Sequence, residues 1–293
     1  MSVIAISESL GSLGIEIGRM VAARLGYEFA ERDIISKAAD RYGADVTRLS
    51  HAAEERPTLL ERFNAEQHRF AHYVDATVHE MAARDNFVIV GLASTLILAT
   101  APHTLRVRIT AAEPVRAQRL SRELGLAPIQ AVSRVHESDR ERSGRVRFLY
   151  HVHWEDPLLY DFVMNTERAD ISECAGLLEQ MLAHDRFRST VTSRRDMTDR
   201  SLVAQAYAVL LADPVTRERR LNVQSEDAVL SIGGRVEEWS VRKAVQRALG
   251  MIPGVREIRF LTPAAIDGEG GGGDAGQNLY GASRRWGGFG PTV

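Results

Sequence analysis

The sequence predicts an α/β fold in which a mainly parallel sheet with flanking helices is followed by a second, smaller α/β domain. Two short runs, residues 3–6 and 87–91, are almost entirely apolar, as strands covered on both faces are. The first run leads through a loop of small residues into a helical pattern. Strand and helix patterns begin again beyond residue 197. Because 293 residues exceed the usual size of one domain, two domains are expected.

The elements of the first domain are predicted from apolar periodicity and helix caps. The first helix should begin at Gly14 and end at Leu25, because Gly26 is suited to a C-cap. Residues 105–109 alternate, which predicts a strand with one less buried face. The other predicted elements are two or three helices between residues 37 and 84, a helix from Glu113 to about Gly125, a strand at residues 162–164 and a closing helix at residues 171–182.

Composition predicts the domain boundaries. Residues 184–197 are charged and lack apolar periodicity, so they are predicted to link a first domain at 1–183 to a second at 198–263. The second domain should contain a helix around residues 202–210, strands at 221–224, 227–236 and 257–260, and a helix at 240–250. The Gly-rich tail, residues 264–293, cannot bury a core and is predicted to be disordered.

Charge and cysteine content restrict the function classes. With 37 basic and 39 acidic residues, the net charge of −2 gives no overall attraction to nucleic acid, and no nucleic-acid partner is expected. A single cysteine, Cys174, excludes an internal disulfide. No secretory signal or apolar run long enough for a transmembrane segment is found, so a cytoplasmic location is expected. Lys37 and Lys243 are the two lysines, so any phosphate chemistry would depend on arginine.

The stretch from strand to helix at residues 3–18 is the candidate anion site. Such a connection directs unpaired backbone N–H groups and the positive end of the helix dipole at one point, which favours a phosphate. An ordinary strand-to-helix turn is the alternative on pattern alone. The candidate phosphate-binding residues of this loop are Ser7, Gly11, Ser12 and Gly14.

The loop departs from the standard P-loop motif, G-x-x-x-x-G-K-[ST]. In the register set by the strand end, Glu8 and Leu13 stand where the two glycines belong. Gly14 stands in place of the lysine, and Ile15 in place of the Ser or Thr. Phosphate binding would therefore depend on the main-chain amides between residues 9 and 15.

Several segments nevertheless resemble the cytidylate kinase-like family, a branch of the P-loop nucleoside monophosphate kinases. The matching segments are Gly11-Ser12-x-Gly14-x-Glu16-Ile17, Glu137-Ser138-Asp139-Arg140-Glu141-Arg142, Trp154-Glu155-Asp156-Pro157-Leu158-Leu159-Tyr160-Asp161 and Val163-Met164-Asn165-Thr166. The resemblance covers about residues 3–182. It implies a P-loop kinase-like parallel sheet and transfer of the γ-phosphoryl group of ATP, with Mg²⁺, to a nucleoside monophosphate. The sequence departs from the family pattern at Glu8, Ile15 and Leu92, where the family carries arginine.

The resemblance also implies roles for particular residues. Arg140 and Arg142, with Asp139, would form the catalytic set that stabilises charge on the transferring group. Arg134 and Arg145 would belong to the same arginine-rich lid, for which a salt-bridged, solvated helix is the alternative. Arg32 and Asp33 are candidate acceptor-binding residues, and the alternative for Asp33 is a favourable charge at a helix N-terminus. No metal ligand can be named.

The second domain resembles the BON domain, a small bacterial α/β module associated with phospholipid or ligand binding. The matching patterns are Val229-x-x-x-Gly233-Gly234-x-Val236 and Pro253-Gly254-Val255-x-x-Ile258. This resemblance implies a module for localisation or ligand binding, with a phospholipid or a small ligand as partner. A basic face of Arg235, Arg242, Lys243 and Arg247 would suit an anionic surface, and a solvated helix face is the alternative.

Two functions follow as hypotheses. The first is a nucleotide-binding, cytidylate kinase-like phosphotransferase. The second is a catalytically inactive binding or regulatory protein that has kept the kinase fold, with the BON domain as the working module.

Overall fold

The computed structural model describes residues 2–31, 33–54, 65–101 and 103–261. The first domain contains a five-stranded, wholly parallel sheet with the strand order β2-β3-β1-β4-β5. Its strands are Val3–Glu8 (β1), Glu28–Ala30 (β2), Phe87–Val90 (β3), Thr104–Thr110 (β4) and Phe162–Asn165 (β5). The predicted fold class, an α/β protein with a P-loop kinase-like parallel sheet and a small second sheet, is confirmed.

Helices cover both faces of this sheet and continue into the second domain. The predicted bounds of the first helix and of the helix that closes the sheet are confirmed. The described helices are Gly14–Leu25 (α1), Asp33–Tyr42 (α2), Val46–Glu54 (α3), Ala65–Ala83 (α4), Ser94–Ile97 (α5), Glu113–Leu124 (α6), Pro128–Tyr150 (α7), Ile171–Leu182 (α8), Val191–Ala212 (α9) and Trp239–Gly250 (α10). Among the described residues, no helix combines the length and apolarity needed to cross a membrane.

The two faces of the sheet carry separate cores. Ile4 and Ile6 point to the face covered by α1 and α8, whereas Val3 and Ala5 point to the face covered by α2 and α4. All four side chains are fully buried. Each buried Ile contributes about 1.5–3 kcal/mol relative to an exposed one. The central position of β1 therefore fixes where its carboxyl end, and the loop that follows, must lie.

Strand β4 differs from its prediction. The alternation at residues 105–109 predicted one less buried face, but Arg106 and Arg108 on that face are covered. Arg106 forms a two-point ion pair with Asp161, and the Arg108 guanidinium stacks on Trp154. Arginine alternation was misleading here, because the segment that precedes β5 folds over the polar face.

The predicted linker at residues 184–197 is largely regular structure. A 3-10 turn at Asp185–Phe187 buries Phe187 in the core covered by α1 and α8, and α9 begins at Val191. Thr190 caps α9 by accepting from the Ser193 N–H at 3.0 Å, while Ser193 Oγ accepts from the Thr190 N–H at 2.8 Å. This capping pair explains why a charged, apolar-poor stretch is helical.

Helix α9 connects the two domains through two apolar faces. Met197, Ala204 and Ala208 pack into the core between α4 and the first sheet. Leu202 and Leu210 pack into the core of the second sheet. The helix is apolar on both sides, so it shows no single hydrophobic face in the sequence. One continuous helix therefore belongs to both cores.

The second sheet has three strands, Leu221–Glu226 (β6), Val229–Gly234 (β7) and Glu257–Phe260 (β8), in the order β6-β7-β8. β6 and β7 are antiparallel, and β8 runs parallel to β7 after the α10 crossover. Asp199 of α9 accepts from the N–H groups of Asp227 and Ala228 at 3.0 and 2.9 Å, which fixes the β6–β7 turn. The tail predicted at 264–293 lies outside the described residues.

Candidate functional site

The loop between β1 and α1 adopts the backbone conformation that glycine favours at two positions. Gly11 has φ +77°, and a β-carbon there would lie 2.7 Å from the carbonyl oxygen of Arg116. Leu13 has φ +68°, which costs a non-glycine residue about 1–2 kcal/mol. The standard motif has its second glycine at the position of Leu13. The loop therefore keeps a glycine-like turn although the glycine has been replaced.

The neighbouring strand ends hold this loop in place. Ser12 Oγ donates to the carbonyl of Ile109 at 3.0 Å, and the Ser12 carbonyl accepts from Thr166 Oγ1 at 2.9 Å. The Ser12 side chain is fully buried, so its hydroxyl is committed to β4. The N–H groups of Leu13, Gly14 and Ile15 donate to no acceptor within the described part of the chain. The main chain, more than the Ser12 side chain, is what the loop offers to an anion.

Ser7 is buried at the carboxyl end of β1. The Trp154 indole N–H donates to Ser7 Oγ at 2.8 Å, across a separation of 147 residues. This hydrogen bond fastens the segment between α7 and β5 to the base of the loop. The predicted phosphate-binding residues Ser7, Gly11, Ser12 and Gly14 are thus brought together, with both side-chain hydroxyls already bonded to protein groups.

Glu8 occupies the space that a side chain at position 14 would need. A β-carbon on Gly14 would lie 2.6 Å from Glu8 Cβ and 2.8 Å from a Glu8 carboxylate oxygen. A lysine at this position, as in the standard motif, would therefore clash with Glu8 as it stands. Burial raises the pKa of the Glu8 carboxyl, and the nearby Arg142 guanidinium opposes this effect in part. Glu8 and Gly14 therefore depart from the motif together, because Glu8 fills the space that a side chain at position 14 would occupy.

Arg142 is the predicted lid residue that reaches the loop. Its Nη2 lies 3.5 Å from Glu8 Oε1, and its Nη1 donates to the Glu8 carbonyl. The side chain comes from α7 and retains 31% of its exposure. Arg142 therefore places a positive charge at the mouth of the loop and compensates the buried carboxylate.

Asp139 lies on the same helix but turns toward α6. Its carboxylate accepts two hydrogen bonds from Arg116, at 3.1 and 2.7 Å. Arg116 is buried, and its Nε also donates to the carbonyl of Ala111 at 2.9 Å. This bidentate pair fastens α7 to α6, so the geometry gives Asp139 a positioning contact for the helix that carries Arg142.

The remaining lid candidates are separated from the loop contacts described above. Arg140 is exposed on α7. Arg134 is also exposed and lies 3.9 Å from Glu137, a weak surface pair. Arg145 is buried within the domain. The predicted arginine-rich set is therefore divided between solvent, the interior and the loop.

Asp33, one of the two acceptor-binding candidates, is the first residue of α2. Asp33 accepts from the Glu31 N–H at 2.8 Å and pairs with Lys37 Nζ at 2.7 Å. Burial alone would raise the pKa of Asp33, but the hydrogen bonds from Lys37 and from the Glu31 N–H lower it below its ordinary value. Asp33 thus places a negative charge at the N-terminus of α2, where the helix dipole favours it. Arg32 lies outside the described residues.

Sequence reasoning missed several polar residues that surround the loop. Arg119 of α6 donates to Thr166 Oγ1 at 3.0 Å and to the Gly11 carbonyl at 3.3 Å. Arg108 of β4 is buried beneath Trp154, with Nη2 3.4 Å from Ser9 Oγ. Thr166 follows the last strand directly. A signal was available, since parallel strands end at one sheet edge and their first polar residues gather there.

The described residues offer no metal centre. They contain no group of three or more His, Cys, Asp or Glu side chains gathered as metal ligands. Ile15 also supplies no hydroxyl where the standard motif binds Mg²⁺. The loop therefore lacks the side-chain oxygen with which the standard motif holds Mg²⁺, and no residue is assigned to the ion.

The basic residues of the second domain are partly engaged within it. Arg242 Nε donates to the Val236 carbonyl at 2.9 Å, and Arg247 pairs with Asp213 at 2.7 Å. Lys243 Nζ lies 4.8 Å from the ring centre of Trp239, the first residue of α10, which is 73% exposed. Two of the four residues of the predicted basic face, Arg242 and Arg247, therefore already have partners within the described residues.

Part of the chain is similar to known proteins. The model of the cytidylate kinase-like family matches residues 3–168. A cytidylate kinase from Methanopyrus kandleri is 27% identical over 180 residues, which are 60% of this chain and 91% of the relative. An uncharacterized protein from Eubacterium ventriosum has a similar fold, with TM-score 0.50, 16% identity, and coverage of 62% of this chain and 98% of that chain. Shikimate kinase from Bacteroides thetaiotaomicron aligns with TM-score 0.41, 16% identity, and coverage of 62% and 99%. Because the family model matches more than half of its length, the chain belongs to the cytidylate kinase-like family.

Proposed function

We propose that the first domain binds nucleotides and transfers the γ-phosphoryl group of ATP to a nucleoside monophosphate. The observation that carries the proposal is the loop itself. Three consecutive N–H groups, at Leu13, Gly14 and Ile15, have no acceptor within the described residues, and Arg142 stands at the same loop. Helix N-termini with free N–H groups bind phosphate through hydrogen bonds and the helix dipole.

Each group at the loop would have a separate role in the reaction. The loop amides would hold a phosphate group, and Arg142 would neutralise charge as it develops on the transferring group. Asp139 and Arg116 would hold α7 so that Arg142 faces the loop. ATP supplies the phosphoryl group, and Mg²⁺ bound to ATP would shield its charge. Arg140, exposed on the same helix, would add positive charge on the solvent side of α7.

A specific observation favours a second candidate, a binding or regulatory protein without turnover. The buried Glu8 carboxylate lies beside the first residue of α1, where its charge repels a phosphate. Arg142 already compensates that carboxylate. If the pair stays closed, a nucleotide would bind weakly, and the arginine needed for catalysis would remain occupied.

Calorimetric titration with ATP and with CMP, followed by measurement of ADP formation, separates these functions. Heat that saturates with both ligands, together with CMP-dependent ADP release, is expected for the phosphotransferase. Binding without ADP supports the inactive protein. Absence of heat with both ligands would overturn a nucleotide role.

The Glu8→Gln variant tests whether the carboxylate opposes phosphate. It removes the charge and keeps the side-chain volume, so ATP affinity should rise about tenfold, which corresponds to about 1.4 kcal/mol. Glu16→Gln is the matched control, because Glu16 is an exposed carboxylate in the first turn of the same helix. Equal affinity changes in both variants would show a general charge effect instead.

We also propose that the second domain acts as a BON-type module that localises the protein on anionic phospholipid. Trp239 and Met251 support the proposal, since they are 73% and 81% exposed at the two ends of α10. Lys243 lies beside Trp239. An exposed tryptophan next to a cation suits the interface between lipid headgroups and acyl chains.

Co-sedimentation with vesicles tests this role. Vesicles that contain phosphatidylglycerol should retain the protein, and Trp239→Ala should weaken retention several-fold. Leu177→Ala, at an exposed apolar residue of α8, should leave it unchanged. Equal retention by neutral phosphatidylcholine vesicles, or full retention of the Trp239 variant, would exclude the proposed surface.

A further inference from the structure

Arg108 lies at the carboxyl end of β4, beside the candidate phosphate loop. In the parallel register it is the partner of Ser7, so the two side chains point to the same face of the sheet. Arg108 is 6% exposed. The side chain is therefore an arginine enclosed between the sheet and whatever covers that face.

Two aromatic side chains cover Arg108. The Arg108 guanidinium lies 4.0 Å from the ring centre of Trp154 and 5.8 Å from that of Tyr160. Both rings belong to the segment between α7 and β5, which the Trp154 indole N–H also fastens to Ser7. A desolvated cation over a tryptophan face gains about 2 kcal/mol.

The contacts described for Arg108 include no carboxylate. Among the described residues, its Nη2 donates a long hydrogen bond to Ser9 Oγ at 3.4 Å, the Tyr160 hydroxyl is also nearby, and its buried Nη1 has no acceptor. Removing a cation from water costs several kcal/mol, more than one aromatic contact returns. The site therefore has a buried positive charge that the described groups leave without a counter-ion.

Arg106 shows what a structural arginine looks like on the same strand face. It stands two residues earlier and meets both oxygens of Asp161, with Nη2 to Oδ1 at 2.8 Å and Nε to Oδ2 at 3.1 Å. The two arginines share strand, face and charge. Their difference is that Arg106 has an acidic partner from the protein.

Hydroxyl groups complete the surroundings of Arg108. Ser9 Oγ lies 3.1 Å from Thr110 Oγ1, and Ser7 Oγ accepts from Trp154 in the same region. A guanidinium with hydroxyl donors at its edge matches the geometry and charge of a phosphate group. The phosphate loop has no lysine, so cations for a bound phosphate must come from other elements, and Arg108 of β4 is one of them.

We infer that Arg108, with Ser9 and Thr110, forms a binding subsite for the phosphate group of a phosphate monoester. The inference rests on the proposed function, because it assigns the nucleoside monophosphate's phosphate to the β4 edge of the same site. Nη1 is closed off by protein, so the segment that carries Trp154 and Tyr160 must shift when the anion enters. Trp154 is then a reporter of binding.

Fluorescence of Trp154 provides the test. Trp239→Phe and Trp286→Phe leave Trp154 as the single tryptophan of the chain. Titration of this protein with inorganic phosphate, and separately with CMP, should give a saturable change in emission. Arg108→Gln should weaken both at least tenfold, whereas the matched control Arg106→Gln should bind as the parent does.

A second variant covers the case in which Arg108→Gln fails to fold. Thr110→Val removes one hydroxyl at nearly constant volume, and we expect several-fold weaker binding of phosphate and CMP with unchanged circular dichroism. Unaltered binding by Thr110→Val and by any folded Arg108 variant would overturn the subsite.

The outcomes also separate the subsite from the proposed function. CMP binding that is independent of Arg108 overturns the subsite and leaves the phosphotransferase in place. Phosphate binding that depends on Arg108, without binding of ATP or CMP, supports the subsite and overturns the phosphotransferase. Silence of the parent protein toward phosphate and CMP overturns both.

Discussion

Replacing Gly11 by alanine tests how tightly the phosphate loop is held against α6. The backbone of Gly11 has φ +77°, and an added β-carbon would meet the Arg116 carbonyl oxygen at 2.7 Å and the Arg116 carbonyl carbon at 3.2 Å. The atoms in contact are backbone, so they cannot rotate away as the end of a long side chain would. Either the loop or the start of α6 has to shift.

The magnitude follows from two contributions. An alanine in the left-handed region costs about 1–2 kcal/mol, and its restriction of the unfolded chain returns about 0.4–1 kcal/mol. Forcing an extra carbon into a closely packed position adds about 1–3 kcal/mol. Gly11→Ala should therefore reduce the free energy of unfolding by about 1–5 kcal/mol, with a central value of about 3 kcal/mol.

Gly26→Ala is the matched control. Gly26 has φ +67° at the end of α1, but no atom lies within 4 Å of the position of its β-carbon. Its replacement should cost about 1 kcal/mol, the conformational contribution alone. Urea unfolding followed by circular dichroism measures both variants at unchanged m-value. Equal losses would refute the Arg116 contact, and a Gly11 variant as stable as the parent would refute the whole calculation.

Three further changes test other parts of the structure. Because burial raises the pKa of Glu8 above its ordinary 4.5, folding favours the protonated form; its stabilising contribution is complete below pH 4.5 and is lost as the pH rises through the raised pKa. Glu8→Gln should thus gain stability relative to the parent as the pH rises above 4.5 in thermal melts, and a difference that is constant with pH would contradict the assignment. Asp170→Ala removes the N-cap of α8, which accepts from the Glu173 N–H at 2.8 Å, so it should lower the free energy of unfolding in urea by about 1 kcal/mol. An unchanged free energy of unfolding would show that the cap is redundant. Asp199→Ala leaves the turn N–H groups of Asp227 and Ala228 without their acceptor and should cost about 1–3 kcal/mol, with hydrogen exchange accelerated at both amides; unchanged exchange would speak against this role.

Much of the fold could be predicted because its signals are local. Gly26 ends α1 and the Asp170–Glu173 capping box begins α8, so both helices have the predicted bounds. The apolar run at β3 is buried at every position. Each of these signals depends on residues within a few positions of one another, where periodicity and caps operate.

The candidate site was predictable only in outline. The sequence indicates that Ser7, Gly11, Ser12 and Gly14 share a loop, but it gives no sign that both hydroxyls are engaged by β4 and Trp154. It places Asp139 and Arg142 on one helix, yet their partners lie on two different elements. Side chains on one helix diverge, and the chain distance to their partners exceeds any pattern that periodicity detects.

The sequence by itself determined the bounds of α1 and α8, the apolar strands β1 and β3, and the missing lysine of the phosphate loop. The tertiary structure decided which charges meet. Glu8 and Arg142 are 134 residues apart, and Arg108 is buried because a distant tryptophan closes over it. Helix α9 joins two cores because neighbours on both sides cover its apolar surface. The physical reason is that backbone conformation depends on adjacent residues, whereas burial and the pairing of charges depend on packing between segments far apart in the chain.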